Sequence, residues 1–396
     1  MSTTKPILIA GGGLASLLLA HSLRRSGIPF KIFERDASFT FRAQGYRLRL
    51  SPEGLDAIES VLAPETFQRF WDKCGKTSGS GLTQLNAITG EPIPLPPSPQ
   101  TTLTSRNGKV VGISRGDARK IFAEGCEEHI EWSREVTGYE LTPSGDGVHA
   151  LFADGSKSPA GALLIGGEGI RSKTAPQLSH NRLKVYDTGA RGIHGQAPTA
   201  AFAGLGEGVF ILRDDTSHPA GAVSLITNVR PGEMDDPNVE FGWTIAGHPG
   251  VIAAPNDNYT IVGKPAADVA RALARNWHPR FRALVDNMNE SEAAFWKITC
   301  STPTGVPEWE NEARVTVIGD AAHAMTPAGG IGANTAVRDA ALLGRLLREA
   351  GGEVEGVTAE YERVMRGYAS EAVGLSYGAA TKQFGVRIEV GATPTV

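Results

Sequence analysis

Runs of consecutive apolar residues near the amino terminus alternate with glycine-rich turns, and this pattern predicts a βαβ unit. The segment Ile7-Leu8-Ile9 is apolar on both faces, as a buried parallel strand is. Three glycines follow directly, and the mostly apolar segment from Leu14 to Leu23 predicts a buried helix. A second strand is expected from Phe30 to Phe33. Residues 1–36 therefore form a strand, a helix and a strand in sequence.

Further strands and helices follow along the rest of the chain. The predicted strands are residues 46–50, 162–166, 208–212, 222–229, 239–245 and 315–318, and the predicted helices are residues 52–61, 115–129, 266–287, 332–350 and 358–384. Ser114 is the expected N-cap of the second helix, and Pro279 is a possible break in the third. Residues 86–108 are rich in Pro, Ser and Thr and predict a hairpin or a loop.

The change from long helices to short alternating segments indicates the domain organisation. We expect an α/β fold with a Rossmann-like nucleotide-binding domain, an inserted, mostly antiparallel β-sheet substrate domain and a C-terminal helix. The nucleotide-binding domain is assigned to residues 1–180 and 264–396. The inserted region is assigned to residues 181–263, with a possible contribution from residues 75–110.

Composition excludes several classes of protein. A net charge of −4 gives no basic footprint for nucleic acid, and 41% hydrophobic with 21% charged residues is typical of soluble globular proteins. The three cysteines lie far apart and form no metal motif, so we expect no metal, a reducing environment and a cytoplasmic location. No apolar stretch is long enough to span a bilayer. We expect a monomer or a homodimer.

The first glycine turn has the chemistry of a dinucleotide site. Gly11 allows a tight turn, and Gly13 leaves room for a pyrophosphate. Leu14 and Ala15 begin the helix, whose free N–H groups would face the phosphates. Glu34 lies 21 residues beyond Gly13, where an acidic residue accepts hydrogen bonds from a ribose. A glycine turn that binds nothing, or a signal peptide, is the alternative, although three consecutive glycines argue against export.

Two later motifs complete a pattern that resembles a known family. Gly167-Glu168-Gly169-Ile170-Arg171-Ser172 follows a predicted strand, and Gly319-Asp320-Ala321-Ala322-His323 follows another. With the first turn, and in this order and spacing, they resemble the FAD-dependent aromatic hydroxylases, which are single-component flavoprotein monooxygenases. The resemblance covers nearly the whole chain and is closest to members from fungal and bacterial secondary metabolism.

The resemblance implies a set of FAD-binding residues. Asp320 would accept hydrogen bonds from the ribityl hydroxyls, and residues 327–334 would wrap the isoalloxazine ring at a helix N-terminus. Glu168 stands where the family usually has aspartate, in a turn that helps bind FAD and the nicotinamide cofactor. The implied FAD-binding residues are Gly11, Gly13, Leu14, Ala15, Glu34, Arg35, Arg42, Arg115, Glu168, Asp320, Pro327, Gly330, Gly332, Ala333 and Asn334.

The resemblance also implies a reaction. NADPH or NADH would reduce FAD, and reduced FAD would react with O2 to form a C4a-hydroperoxide. One oxygen atom would then pass to an electron-rich aromatic or to a polyketide- or indole-type small molecule, by hydroxylation or epoxidation. No second Rossmann unit is present for the nicotinamide, as in the family. Arg191 lies about where the family places an arginine that handles substrate or a proton, and a salt bridge on the sheet is the alternative.

Other candidate substrate contacts stay open at this stage. Arg47 and Arg49 alternate on one strand face, where they could steer an anionic phenolate or pair with carboxylates. Phe210, Phe241 and Trp243 could line the substrate pocket or belong to the core.

Two other functions are compatible with the motifs. The first is an FAD-dependent dehydrogenase, oxidase or rearrangement catalyst that does not use NADPH or does not oxygenate. The second is a non-enzymatic flavin-binding protein, against which the complete ribityl and ring motif argues.

Overall fold

The computed structural model describes residues 5–39, 47–78, 82–94, 103–230, 232–352 and 354–396. Arg42 lies outside these ranges. The strands are β1 Ile7–Ala10, β2 Phe30–Glu34, β3 Arg47–Leu50, β4 Gly75–Ser78, β5 Leu82–Asn86, β6 Lys109–Ser114, β7 Ile130–Trp132, β8 Val136–Leu141, β9 Val148–Phe152, β10 Leu163–Gly166, β11 Val185–Pro198, β12 Gly208–Asp214, β13 Val223–Val229, β14 Glu240–Gly247, β15 Ala294–Ser301 and β16 Val315–Val317.

The helices have the following bounds: α1 Leu14–Arg25, α2 Pro52–Val61, α3 Pro64–Lys73, α4 Arg115–Ala123, α5 Thr174–Leu178, α6 Lys264–Leu273, α7 Pro279–Asp286, α8 Asp320–His323, α9 Gly332–Glu349 and α10 Val357–Phe384.

A parallel five-stranded sheet forms the centre of the molecule. Its order is β16-β10-β1-β2-β7, and every neighbouring pair is parallel. Its central strands β1 and β10 are completely buried, as parallel strands usually are. The helix α1 packs against β2, and α9 and α2 pack on α1. This is the strand order of a Rossmann-like sheet, in which ligands bind beyond the carboxyl ends of the strands.

A second sheet of six strands lies apart from the first and is mostly antiparallel. Its order is β15-β11-β14-β13-β12-β5, with only β5 and β12 parallel to each other. One of its faces packs on α6 and α7 in a second hydrophobic core. A three-stranded antiparallel sheet, β3-β6-β4, and the hairpin β8-β9 complete the described strands. The predicted fold class is confirmed.

The second sheet extends beyond the segment that was expected to form it. Strand β5 lies within residues 75–110, from which a contribution was expected. Strand β15 also belongs to the sheet, and α6 and α7 pack in its core, although these three elements lie outside both expected ranges. The division of the chain into domains stays a prediction.

Several predicted elements have different bounds in the structure. The helix expected over 115–129 ends at Ala123, because Gly125 adopts a φ of +72° and a short 3₁₀ turn follows it. The helix expected over 266–287 is two helices, since Pro279 begins α7. The helix α3 was not predicted. The N-cap at Ser114 is confirmed, because its side chain accepts a hydrogen bond from the Asp117 N–H.

Within the described ranges, no helix combines the length and the apolar character that a bilayer-spanning segment requires.

A third cluster of buried residues connects the second sheet to α10 and to the segment before α9. It brings Ala328, which lies between α8 and α9, together with residues of the second sheet and of α10. The buried members are Ala190, Ala246, Ile298, Ala328, Ala380, Phe384 and Val386. One face of the second sheet is thereby held against the segment that precedes α9.

Gly54 makes a close contact between α2 and α9. A Cβ at this position would lie 2.1 Å from Oδ1 of Asn334. That oxygen accepts a hydrogen bond from the Ser51 N–H at 2.8 Å. Glycine in a helix usually costs stability, so its presence here follows from the space that Asn334 occupies.

We expect Gly54→Ala and Gly367→Ala to have opposite effects on stability. Gly54→Ala should lower the free energy of unfolding by about 1–3 kcal/mol, because the new methyl overlaps the Asn334 amide. Gly367, in α10, has no atom within 4 Å of the point that a Cβ would occupy, so Gly367→Ala should raise stability by about 0.5–1 kcal/mol. Urea denaturation checks both, and a stabilised Gly54→Ala would contradict the contact.

Candidate functional site

Three turns meet at the carboxyl edge of the parallel sheet. They follow β1, β10 and β16, which are neighbours in that sheet. Backbone hydrogen bonds connect the strand ends, from the Gly167 N–H to the Ala10 carbonyl and from the Ile318 N–H to the Gly166 carbonyl. The three motifs that the sequence places up to about 300 residues apart therefore form one site.

The glycines of the first turn have different roles. Gly11 has a φ of +88°, and a Cβ there would lie 2.6 Å from the Gly167 carbonyl oxygen. Gly13 has an ordinary φ of −76°, and the nearest atom to its Cβ position is the same oxygen at 3.8 Å. Gly11 is thus required by the fold, whereas the space above Gly13 is open to a ligand.

Ser16 occupies the position of the usual third glycine and packs against the second turn. A Cβ on Gly167 would lie 2.3 Å from the Ser16 Oγ. The helix α1 can therefore still pack closely on the sheet. Gly167, in the turn after β10, leaves the space that a third glycine in the turn after β1 would otherwise provide.

Two helices begin at this site without side-chain caps. The helix α1 begins at Leu14 and α9 begins at Gly332, and neither has a side-chain cap or an acidic residue in its first turn. The first N–H groups of a helix need acceptors, and the helix dipole favours negative charge there. The open space above Gly13 and these two helix ends fit an anionic ligand that carries phosphate groups.

Glu34 is held by backbone groups at the end of β2. Its carboxylate accepts hydrogen bonds from the Gly12 N–H at 2.7 Å and the Asp36 N–H at 2.9 Å. Arg119, which is buried, donates to the Gly12 carbonyl at 3.0 and 3.1 Å and lies 3.8 Å from Glu34. Arg119 was not predicted from the sequence. Its position four residues after Arg115, on the same helical face, is the signal that could have found it.

The other predicted arginines occupy different surroundings. Arg35 is exposed at the end of β2, with its Nε 4.0 Å from Asp36. Arg115 is the first residue of α4 and is half-buried, and its charge acts on Asp320.

Glu168 uses both of its carboxylate oxygens within its own turn. One accepts from the Thr174 hydroxyl and N–H at 2.6 and 3.1 Å, and the other accepts from the Ser172 hydroxyl at 2.8 Å. The side chain thereby stabilises the start of α5. Its backbone lies beside Gly11.

Asp320 begins α8 between the two uncapped helices. The preceding residue, Gly319, lies close to both α1 and α9. A Cβ placed on Gly319 would lie 3.7 Å from Ala15 of α1 and 3.5 Å from Ala336 of α9. Asp320 is exposed to solvent, yet the protein around it partly desolvates its carboxyl. This desolvation raises the pKa of Asp320, and the opposing charges of His323 and Arg115 do not cancel the rise. An exposed carboxylate in a recess can accept hydrogen bonds from ligand hydroxyls.

A buried carboxylate, Asp339, fixes the turn that carries Asp320. It accepts hydrogen bonds from the Gly319 N–H at 2.6 Å, from His323 Nε2 at 2.7 Å and from the Tyr368 hydroxyl at 2.6 Å. Burial lowers the pKa of His323, but the charges of Asp339 and Asp320 raise it more, so the net direction is upward. Asp339 was not predicted from the sequence.

Residues 327–332, which we call the ring loop, lead into α9. Asn334 ties this loop to β3, because its amide donates to the Arg49 and Gly330 carbonyls at 3.0 and 2.9 Å. The Arg49 guanidinium in turn donates to the Gly329 carbonyl at 3.1 Å. The Asn334 side chain is therefore occupied within the protein. Pro327 is exposed and Gly330 half-buried, which leaves the loop backbone open to a ligand.

One face of the second sheet, which we call the cleft face, packs toward the ring loop through Ala328. It carries Ala246 of β14, which pairs with Gly192 of β11. Alternate residues of a strand point to the same face, so the residues two positions from Ala246 and Gly192 also lie on the cleft face. His194 is one of them. Its ring stacks on Trp296 with centroids 5.0 Å apart, and its Nδ1 lies 2.8 Å from the Thr244 hydroxyl. Burial lowers the pKa of His194 to about 4, so the ring is neutral at neutral pH.

Arg191 lies on the opposite face. It forms a two-point salt bridge with Asp187, at 2.6 and 3.1 Å, and its guanidinium lies 4.7 Å from the centre of the Tyr259 ring. This geometry favours the alternative, a salt bridge on the sheet, over a role with substrate. The sequence could not distinguish the two, because a bulge in β11 between Asp187 and Arg191 shifts the register.

The aromatic residues proposed as pocket walls are part of the second core. Phe210, Phe241 and Trp243 are nearly inaccessible and pack with the helices behind the sheet. The cleft face instead presents Trp296 and His194, neither of which was predicted from the sequence.

Comparison with known proteins gives consistent matches to flavoproteins. The sequence profile of the FAD binding domain family matches residues 4–374 of this chain. The dual O-methyltransferase/FAD-dependent monooxygenase CTB3 of Cercospora beticola is 27% identical over 96% of this chain. The dual O-methyltransferase/FAD-dependent monooxygenase elcB of Phaeosphaeria nodorum is 30% identical over 86% of it.

The chain spans less than half the length of these two relatives, 46% and 40% respectively. Among solved structures, that of Klebsiella pneumoniae HpxO, complexed with FAD and uric acid, has a TM-score of 0.74 at 19% identity. The superposition covers 96% of this chain and 89% of that one, and at this identity it supports the fold alone.

The raised pKa of His323 predicts a pH-dependent contribution to stability. Protonated His323 stabilises the fold below its ordinary pKa of about 6.5, and this contribution is lost as the pH rises through the higher folded value. The stability advantage of wild type over His323→Gln in the apoprotein should therefore be largest near pH 6 and decrease toward pH 9. Urea denaturation across this range measures it, and an advantage that grows with pH would disprove the direction.

Proposed function

This chain belongs to the family of FAD-dependent aromatic hydroxylases, and we propose that it is an NAD(P)H-dependent monooxygenase acting on an electron-rich small molecule. The substrate we propose is an aromatic or a polyketide- or indole-type compound, which accepts one oxygen atom from O2 by hydroxylation or epoxidation. The observation that carries the proposal is the packing of the cleft face against the ring loop, which brings a stacked aromatic surface to the position expected for a flavin ring.

The arrangement at the sheet edge fits FAD along its length. We propose that the first N–H groups of α1, at Leu14 and Ala15, bind the pyrophosphate above Gly13. Glu34 would accept hydrogen bonds from the adenosine ribose, and Asp320 would accept them from the ribityl chain. The ring would lie on the backbone of the ring loop, with Gly332 and Ala333 at the start of α9 facing it.

Bound FAD supplies electron transfer from a nicotinamide and the activation of O2. The residues of this chain orient the reactants and control charge and water. The uncapped start of α9 would stabilise negative charge on a ligand ring held beside it. The cleft face would limit the access of bulk water to a substrate held above the ring loop.

We propose that the substrate stacks between the ring loop and the cleft face. Trp296 offers an apolar surface there, and His194, neutral at neutral pH, can exchange a hydrogen bond or a proton with a substrate hydroxyl. Thr244 orients the imidazole through its Nδ1.

A second candidate function follows from Glu168. Both oxygens of its carboxylate are used by Ser172 and Thr174, in the turn where the family's aspartate helps bind nicotinamide. An FAD-dependent oxidoreductase that does not use NADPH, or does not oxygenate, is compatible with this arrangement.

Substitution of the first-turn glycines separates cofactor binding from folding. Gly13→Ala should weaken FAD binding at least tenfold, because its methyl enters the pyrophosphate space, while the apoprotein keeps its wild-type melting temperature. Gly11→Ala should lower the melting temperature of the apoprotein itself, because of its φ of +88° and the 2.6 Å contact. Fluorescence titration with FAD and thermal unfolding measure the two properties. Wild-type FAD affinity in Gly13→Ala would contradict the proposed site.

Anaerobic addition of NADPH or NADH to the FAD-loaded protein tests the reaction directly. We expect loss of the oxidised flavin absorbance, and in air we expect nicotinamide oxidation coupled to O2 consumption. A flavin that stays oxidised with either nucleotide, and in the presence of aromatic candidates, would favour the second candidate function. A protein that does not bind FAD would disprove both.

A further inference from the structure

A groove runs along α9, between α2 and α10, and we call it the α9 groove. Its volume is about 380 Å³, which lies in the range of small-molecule sites, roughly 300–1,000 Å³. The helices α2 and α10 both pack against α9, and each contributes one of its faces to the groove. The groove is large enough for a small organic ligand.

The α9 groove lies away from the three turns of the candidate cofactor site. Those turns meet the first residues of α1 and α9, whereas Arg345 and Arg348 of the groove belong to the last two turns of α9. At about 1.5 Å of rise per residue, Arg345 lies about 20 Å along the helix from Gly332. A ligand in the α9 groove would therefore be distinct from both cofactor and substrate.

The walls of the groove are largely apolar. The helix α2 contributes Ala57 and Val61, α9 contributes Leu342, and α10 contributes Val364 and the ring of Tyr368. Apolar side chains in a concave surface favour a ligand with an apolar body, because contact removes both surfaces from water.

Three arginines of α9 line the same groove. Arg338, Arg345 and Arg348 share one face of the helix. Arg345 pairs with Glu349 at 2.9 Å, but both side chains are about half exposed, and such pairs contribute little. Among the residues that the structure describes, neither Arg338 nor Arg348 forms a salt bridge or a side-chain hydrogen bond. Two guanidinium groups are thus available to an anion.

The carboxylates near these arginines do not balance their charge. Glu53 lines the groove, and the hydrogen bond from Ser51 lowers its pKa, to which the charges of Arg338 and Arg49 add. Glu53 is therefore ionised at neutral pH. The three guanidinium groups face two carboxylates, those of Glu53 and Glu349, so one positive charge is left for a ligand.

Tyr368 connects the groove to the turn that carries Asp320. The Arg338 guanidinium lies 4.2 Å from the centre of the Tyr368 ring, and the Tyr368 hydroxyl donates to the buried carboxylate of Asp339 at 2.6 Å. Burial and the charge of Asp339 raise the pKa of Tyr368, so this hydroxyl stays protonated. The other oxygen of Asp339 accepts from the Gly319 N–H at 2.6 Å. Two side chains therefore link the groove to the cofactor turn.

We propose that the α9 groove is an effector site for a small organic anion with an apolar body, of the class of medium-chain carboxylates. Arg338 and Arg348 would bind the anionic group, and the apolar walls would bind the rest. A ligand packed against Tyr368 would hold its hydroxyl on Asp339 and thereby order the Asp320 turn, so that effector and FAD bind with positive cooperativity. Only this cooperativity rests on the proposed function, since the groove itself is separate from the cofactor site.

Isothermal titration calorimetry of the FAD-loaded protein tests the site, with octanoate as the probe. Octanamide, which has a similar shape and no charge, is the matched ligand. We expect octanoate to bind one to one and octanamide to bind at least tenfold more weakly, because only the anion makes charge-assisted hydrogen bonds. Equal affinities, or no octanoate binding at about 10 mM, on the order of the weakest measurable affinities, would overturn the proposal.

Three variants locate the bound anion. Arg338→Met should weaken octanoate binding at least tenfold, as the loss of a charged hydrogen bond does. Glu53→Gln should tighten it several-fold, because the competing charge is removed, and a misfolded protein cannot mimic a gain. Arg363→Met is the control, since Arg363 is an exposed arginine of α10 that pairs with Glu360 outside the groove. Wild-type affinity in Arg338→Met, weaker binding in Glu53→Gln, or an equal loss in the control would overturn the proposal.

The link to the cofactor is tested by titrating the apoprotein with FAD, with and without saturating octanoate. We expect octanoate to tighten FAD binding several-fold in wild type. Tyr368→Phe keeps the ring and loses the hydroxyl, so it should bind octanoate as wild type does and show no gain in FAD affinity. Unchanged or weaker FAD binding with octanoate in wild type, or the full gain in Tyr368→Phe, would overturn the effector role.

These measurements require neither a nicotinamide nor turnover. A protein that binds octanoate with the expected preference, but whose flavin is not reduced by NADPH or NADH, would leave the α9 groove standing and the proposed function disproved.

Discussion

The buried carboxylate of Asp339 is the constraint on which the candidate site depends. A charge in the interior must be surrounded by donors, and here the donors come from three separate parts of the chain. The Gly319 N–H and His323 belong to the turn after β16, Asp339 to α9, and Tyr368 to α10. The same carboxylate therefore fixes the direction of the Asp320 turn, the start of α9 relative to the parallel sheet, and the position of the long C-terminal helix.

The rest of the site is built on that arrangement as a cleft with positive character. The uncapped starts of α1 and α9 give two partial positive charges. Such a surface favours anionic ligands. Neutral His194 and Trp296 lie on the cleft face, which therefore offers a proton-exchanging group and an apolar stacking surface.

Pairs of residues far apart in sequence set the close contacts of the fold. Gly11 leaves room for the Gly167 carbonyl, and Gly167 in turn leaves room for the Ser16 hydroxyl. Gly54 leaves room for Asn334, whose amide joins β3 to the ring loop. In each pair one partner has no side chain because the other occupies its space. The absent third glycine of the first turn is explained in this way, since the required space is supplied from the opposite strand.

The sequence by itself determined the βαβ unit, the order of the three turns, the family and the bounds of α1, α2, α9 and α10 to within about two residues. These depend on local periodicity, glycine conformation and spacing, which are properties of short segments. Only the tertiary structure decided which charged residues meet. Arg191 pairs with Asp187 because a bulge sets its face, Asp339 lies under the Asp320 turn, and Arg230 meets Arg47 across two sheets. Such contacts depend on register and packing between distant segments, which no local pattern records.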